Sequence, residues 1–150
     1  MKKNLFDLCF TVSIITIFCF ISSCSKKDGF AEAPEFEFTH IFSNTALDTI
    51  IKSKNDVKWW FNEFGLYINE KQTDFKDPEI KLLRDPAAVG SDSPLGFIRK
   101  FENEWFIIEK LNNREIRISL KKNDSYKKRS LIFGASVGNA QKIISLEQNP

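Results

Sequence analysis

Beyond residue 23 the chain predicts an all-β fold, an antiparallel sandwich of about seven short strands. Three observations carry this expectation. Apolar residues alternate with polar ones at period two, and nowhere recur over four turns of a helix. The alternating segments are short and separated by turn formers such as Asn112-Asn113 and Gly138-Asn139. The 150 residues are 42% hydrophobic and 28% charged, which suits one packed core and is too apolar for a disordered chain.

The first element is a leader. Lys2 and Lys3 precede 14 uncharged residues over 8–21, and Ser22 and Ser23 follow. A positive start, a short apolar run and small residues are the build of a secretory signal peptide over residues 1–23. The run is short of the roughly 20 apolar residues that a permanent membrane span needs. Asp7, at its head, is atypical. Ile21-Ser22-Ser23-Cys24 resembles the lipobox of bacterial lipoproteins. That resemblance implies a diacylglycerol on the Cys24 thiol, cleavage just before it, and acylation of the new amino group. Each buried methylene of such chains contributes about 0.8 kcal/mol of membrane binding. Cys9 and Cys19 lie inside the leader, so Cys24 is the one cysteine of the mature chain and no intrachain disulfide can form. Ser25-Lys26-Lys27-Asp28 resembles the charged export signals of related lipoproteins, pointing to the outer membrane and its cell-surface face. Residues 24–34 read as a tether, with Gly29 and Pro34 and no apolar periodicity.

The strands follow. Residues 35–39 alternate charged and aromatic side chains, 45–53 are β-branched, and 57–64 carry Trp59, Trp60, Phe61 and Phe64. Residues 65–96 are punctuated by Asp77-Pro78, Asp85-Pro86, Gly90 and Ser93-Pro94, with a short apolar piece at 80–83, and read as a long irregular insertion. Residues 105–110 and 115–121 form a hairpin with Ile116, Ile118 and Leu120 on one face. Residues 130–136 and 141–148 form a second, with Leu131, Phe133 and Ala135 sharing a face, as do Ile144 and Leu146.

The stretch from Trp105 to Gln148 resembles the second half of a BACON domain, a Bacteroidetes-associated module proposed to bind carbohydrate. The pattern is a tryptophan, an alternating strand, an Asn-x-Ser turn leading to Arg, and a final strand ending in Gln. Here these are Trp105, residues 115–121, Asn123-Asp124-Ser125 with Arg129, and the ending Ile143 to Gln148. Trp59 or Trp60 matches the family's earlier aromatic position. The resemblance spans roughly 34–150 and implies an immunoglobulin-like sandwich. It departs from the family in the length of the 65–96 insertion. It also implies a structural role for Asn123 and Arg129, the arginine bonding carbonyls of the turn.

Charge narrows the function. The net charge is +2 on the whole chain, and losing Lys2, Lys3 and Asp7 with the leader leaves 20 basic against 19 acidic residues. A dedicated nucleic-acid binder needs a basic excess to displace counterions, so nucleic acid is excluded as a partner. Residues 114–129 hold seven basic against two acidic side chains, which read as the solvated outer positions of an amphipathic strand and its turn. An anionic surface, lipid head groups or an acidic polysaccharide, is the competing reading of that stretch.

No catalytic set emerges. Gly134-Ala135-Ser136-Val137-Gly138 spells the nucleophile-elbow motif, but it lies in a strand–turn–strand context with no histidine after it. His40 is the only histidine and cannot make a zinc site alone. Asp74, Asp77 and Glu79 lack the spacing of a calcium loop. Neither a metal nor a cofactor is expected, and the protein is expected not to be an enzyme. The aromatic residues are the binding candidates. Alternation sends one of Trp59 and Trp60 inward and the other outward, and Tyr67 follows near a loop; these three form the candidate ligand site. Tyr126 sits in another loop, and Trp105 reads as core. The expected function is an envelope-anchored, non-catalytic binding module for glycans or glycoproteins. The alternative is a spacer or protein-docking component of an envelope complex with no small ligand.

Overall fold

The computed structural model describes residues 31–86 and 96–150. The leader, Cys24 and most of the expected tether lie outside the described residues. Among the described residues every regular element is a strand. There are eleven: β1 (His40–Ser43), β2 (Leu47–Lys52), β3 (Trp60–Phe61), β4 (Tyr67–Ile68), β5 (Lys71–Gln72), β6 (Lys81–Arg84), β7 (Ile98–Glu102), β8 (Phe106–Asn112), β9 (Glu115–Leu120), β10 (Arg129–Val137) and β11 (Ala140–Gln148).

They form two sheets. One runs β2-β9-β8-β7-β6; the other runs β1-β11-β10-β4-β5, with β3 also on β10. The fold is therefore a β-sandwich, as the alternation predicts. Two details differ from the expectation. The pairing is not wholly antiparallel, because β1 lies parallel to β11, with His40 opposite Ser145 and Ser43 opposite Gln148. The strands number eleven because, besides β1, four short ones escape a sequence reading. Three of these, β4, β5 and β6, lie in the 65–96 stretch, which is thus no simple insertion: it supplies edge strands to both sheets and the buried Leu66, Phe75 and Ile80. The fourth, β7, contains a bulge, since Leu83 faces Lys100 while Arg84 faces Ile98 and leaves Arg99 unpaired. The bulge breaks strict alternation, so both Ile98 and Phe101 point inward. The expected first strand shrinks to a single bridge between Phe36 and Ser53.

The two hairpins match the sequence pattern closely. Ile116, Ile118, Leu120, Leu131, Phe133, Ala135, Ile144 and Leu146 are all buried. Phe101 lies at the centre of the core, edge-on to Phe61 and Phe75 at 5.0 Å, to Phe133 at 5.6 Å and to Phe106 at 5.9 Å. Edge-to-face packing suits the ring quadrupoles and adds about 0.5–1.5 kcal/mol per pair beyond area burial.

The main irregularity of this sheet is on β10. β3 and β4 both pair with the same side of β10, β3 at Ala135 and Ser136, β4 at Leu131 and Ile132. They are two pieces of one interrupted strand. Between them the chain turns outward opposite Gly134, held by the Asn62 amide donating to the Gly134 carbonyl at 2.8 Å and by a Gly65-to-Asn62 turn bond at 3.3 Å.

Candidate functional site

The outward excursion makes a shallow groove on the outer face of the β1-containing sheet. Its two lobes, about 240 and 250 Å³, share Asn62 and Phe64. One lobe holds Trp60 and Phe97, with rings stacked at 5.7 Å and an interplanar angle of 28°. The other holds Tyr67, Ile132, Gly134, Gln141 and Ile143. Phe64 projects from the excursion and is 87% exposed, while Tyr67 and Phe97 are 37% and 38% exposed.

The groove also has a polar centre. Asn62 Nδ2 donates to Gln141 Oε1 at 2.8 Å, and Asn62 Oδ1 accepts the Phe64 amide at 3.0 Å. This pair sits over Gly134. A Cβ built there would come within 3.2 Å of both Asn62 Cβ and Gln141 Oε1. The missing side chain is what lets the two amides meet across β10.

Of the expected site residues, Trp60 and Tyr67 line the groove and Trp59 does not. Trp59 is 1% exposed. Phe36 lies edge-on to it at 5.6 Å and Phe61 at 5.2 Å. Its indole N–H donates to the Asn113 carbonyl at 2.7 Å. Lys110 lies over its ring at 4.5 Å and bonds its carbonyl. Burial holds the Lys110 ammonium below its ordinary pKa, opposed by Asp85 and aided by Lys58. Trp59 is therefore a core residue of the fold, and the outward member of the pair is Trp60. Asn62, Phe64, Phe97 and Gln141 were not legible as site residues. Their assembly depends on the excursion opposite Gly134, which no local pattern announces.

The other singled-out residues have structural places. Asn123 is buried; its Nδ2 donates to the carbonyls of Lys127 at 2.7 Å and Asn149 at 3.0 Å, and its Oδ1 accepts from the Ser125 amide and hydroxyl. Arg129 donates to the Lys122 carbonyl at 3.4 Å and lies over the Trp105 ring at 5.6 Å. Ser136 is buried in the ladder between Trp60 and Gln141, and β10 continues through a turn into β11, so the elbow geometry is absent. Asp74 and Asp77 cap local turns by accepting the amides of Lys76 and Glu79. Among the described residues no group of three acidic, histidine or cysteine side chains is placed to hold a metal. Tyr126 stands 92% exposed in the turn after β9 and lines none of the groove.

Three larger clefts offer less. Those of about 560 and 650 Å³ are lined mainly by charged side chains of both signs, with Lys100–Glu102 at 2.8 Å beside the first and Lys52–Glu115 at 3.4 Å in the second, and present no aromatic face. The third, about 470 Å³, is bounded by Trp105 and Phe106, whose rings are already buried and present little face to a ligand.

No family model and no curated protein matches the chain. Among solved structures, the NMR structure of a protein from Bacteroides thetaiotaomicron superposes with a TM-score of 0.55 at 13% identity, covering 85% of this chain and 96% of that one. At that identity the likeness establishes the fold alone. A Bacteroides ovatus GH5 xyloglucanase in complex with a XXXG heptasaccharide gives a TM-score of 0.39 at 13% identity, over 78% of this chain and 19% of that one. That score is too low to bear on function.

Proposed function

We propose that this chain is an envelope-anchored, non-catalytic binding module for glycans or glycoproteins, held to the outer membrane through a lipid on Cys24. The observation that carries the binding role is the groove itself: Trp60, Phe64, Tyr67 and Phe97 around the Asn62–Gln141 amide pair. Sugar rings have apolar C–H faces that stack on aromatic rings, and hydroxyl rims that need donors and acceptors beside them. A shallow, open groove with few polar groups gives weak binding by itself. Anchoring many copies on one surface raises the effective affinity for a repeating polymer. The resemblance over Trp105 to Gln148 supports the same reading, with the BACON family as the proposed affiliation.

The test compares Trp60→Ala, Tyr67→Ala and Trp59→Ala on a glycan array and on mucin. Trp60→Ala and Tyr67→Ala should leave a folded protein with weakened binding; Trp59→Ala should lose stability. If the intact protein retains no glycan at millimolar concentration, the proposal fails. The docking alternative would then take over. Phe42 and Ile143, both more than half exposed on the same sheet, favour it as a surface for an envelope protein.

A further inference from the structure

We infer that the groove takes an uncharged polysaccharide, lying along β10 from Tyr67 to Trp60, with its hydroxyls read by Asn62 and Gln141. This rests on the glycan-binding reading and specifies the class of glycan.

The two outer faces of the sandwich differ in charge. The face of β2, β9, β8 and β7 is laced with ion pairs: Asp48–Arg117 at 2.7 Å, Lys52–Glu115 at 3.4 Å, Arg99–Glu109 at 3.5 Å and Lys100–Glu102 at 2.8 Å. Among the described residues the sheet that carries the groove has one such pair, Lys128–Glu147 at 2.8 Å, beyond the Tyr67 end, and in the groove itself it presents Trp60, Tyr67, Ile132, Gly134, Gln141 and Ile143. Among the described residues lining the groove, one is charged, Glu63, and Arg84 holds it at 2.8 Å. An acidic polymer is recognised by cations that pair with its carboxylates or sulfates, and among the described residues no cation lines this groove. A neutral polymer needs groups that both donate and accept, because each hydroxyl does both. Primary amides supply both from one side chain. Gln141 accepts from Asn62 and keeps its own NH₂ for a ligand.

The spacing fits a chain rather than a single sugar. Tyr67 lies opposite Ile132 and Trp60 opposite Ser136. Four residues of strand separate the two aromatic positions by about 13 Å. Gly134 marks the midpoint, and the amide pair lies over it. A polymer bridging two rings in this way stacks at both ends and is hydrogen-bonded between them. Glycine at 134 keeps the floor low enough for that approach, since the Cβ of any other residue would push on Asn62 and Gln141.

The test is affinity electrophoresis of the full chain in mild detergent, through gels containing barley β-glucan, galactomannan, polygalacturonate or chondroitin sulfate. At least one neutral polymer should retard the protein, with retardation unchanged at high salt. Gln141→Ala and Trp60→Ala should each weaken that retardation about tenfold, while keeping the wild-type unfolding midpoint to within a few degrees. Retardation only by the acidic polymers, relieved by salt, would overturn the inference and leave the binding-module reading standing. Neutral binding that survives both substitutions would put the site elsewhere and overturn it too. Retardation by none of the four, together with an empty glycan array, would remove the reading on which it rests.

Discussion

Trp59 and Trp60 are covalent neighbours that the sheet sends to opposite sides. Trp59 packs between Phe36 and Phe61 and shares its ring face with Lys110, whereas Trp60 leans on Phe97 at the groove. Trp59→Ala is expected to cost about 3–5 kcal/mol in denaturant titration, the usual loss for a buried aromatic. It also leaves the Asn113 carbonyl without its donor. Trp60→Ala should cost well under that, because its ring is only half-buried; an equal loss would contradict the assignment. Asp48 supports a prediction in pH. Bonds from Arg117 and Ser119 lower its carboxyl from the ordinary 3.8 to about 2. A depressed folded-state pKa stabilises the fold above 3.8, and that contribution disappears as pH falls through 2. Asp48→Asn should therefore flatten the stability profile in that window and change little near neutrality beyond the loss of an exposed ion pair. The effect should shrink in salt, because the pair is at the surface.

Strands long enough to show several alternations were easy to read, and strands of two residues or with a bulge were not. β10 and β11 alternate in phase across the Gly138-Asn139 turn, so each marks the other's buried face. Phe133→Ala should cost about 3–5 kcal/mol by the same denaturant measurement; a shift under about 1 kcal/mol would mean that Phe133 does not fill the core. β4 and β5 are two residues each, too short to show any period. Their turn holds both Asn69 and Glu70 at positive φ, 50° and 66°, the type I′ form whose preferred sequence is Asn-Gly. Asn69 suits its place and bonds Ser130 of β10 through its amide and its side chain. Glu70 pays a Cβ clash there. Glu70→Gly should raise stability by about 1 kcal/mol, visible as a higher thermal midpoint, and it would tighten the strand that carries Tyr67.

Across the whole molecule, the core stands without covalent help. No cysteine lies among the described residues, so reductants should leave the unfolding midpoint of the sandwich unchanged. Anchoring is separable from folding in the proposed function. Cys24→Ala should abolish palmitate labelling and membrane fractionation while the released domain keeps the near-UV spectrum of a packed β-sandwich. A variant that stays labelled and membrane-bound would sink the lipoprotein proposal.

The sequence by itself determined the fold class and the buried faces of both hairpins, because period-two alternation is a local property of the strand. What only the tertiary structure decided was the groove. β3 and β4 are a strand broken opposite Gly134, and the break exists only because both pieces meet β10 some seventy residues further on. That pairing turned Trp59 inward and Trp60 outward, and it brought Asn62 to Gln141 across 79 positions of sequence. A contact over that distance leaves no periodic trace in the chain, since its register is set by the packing of the whole sandwich.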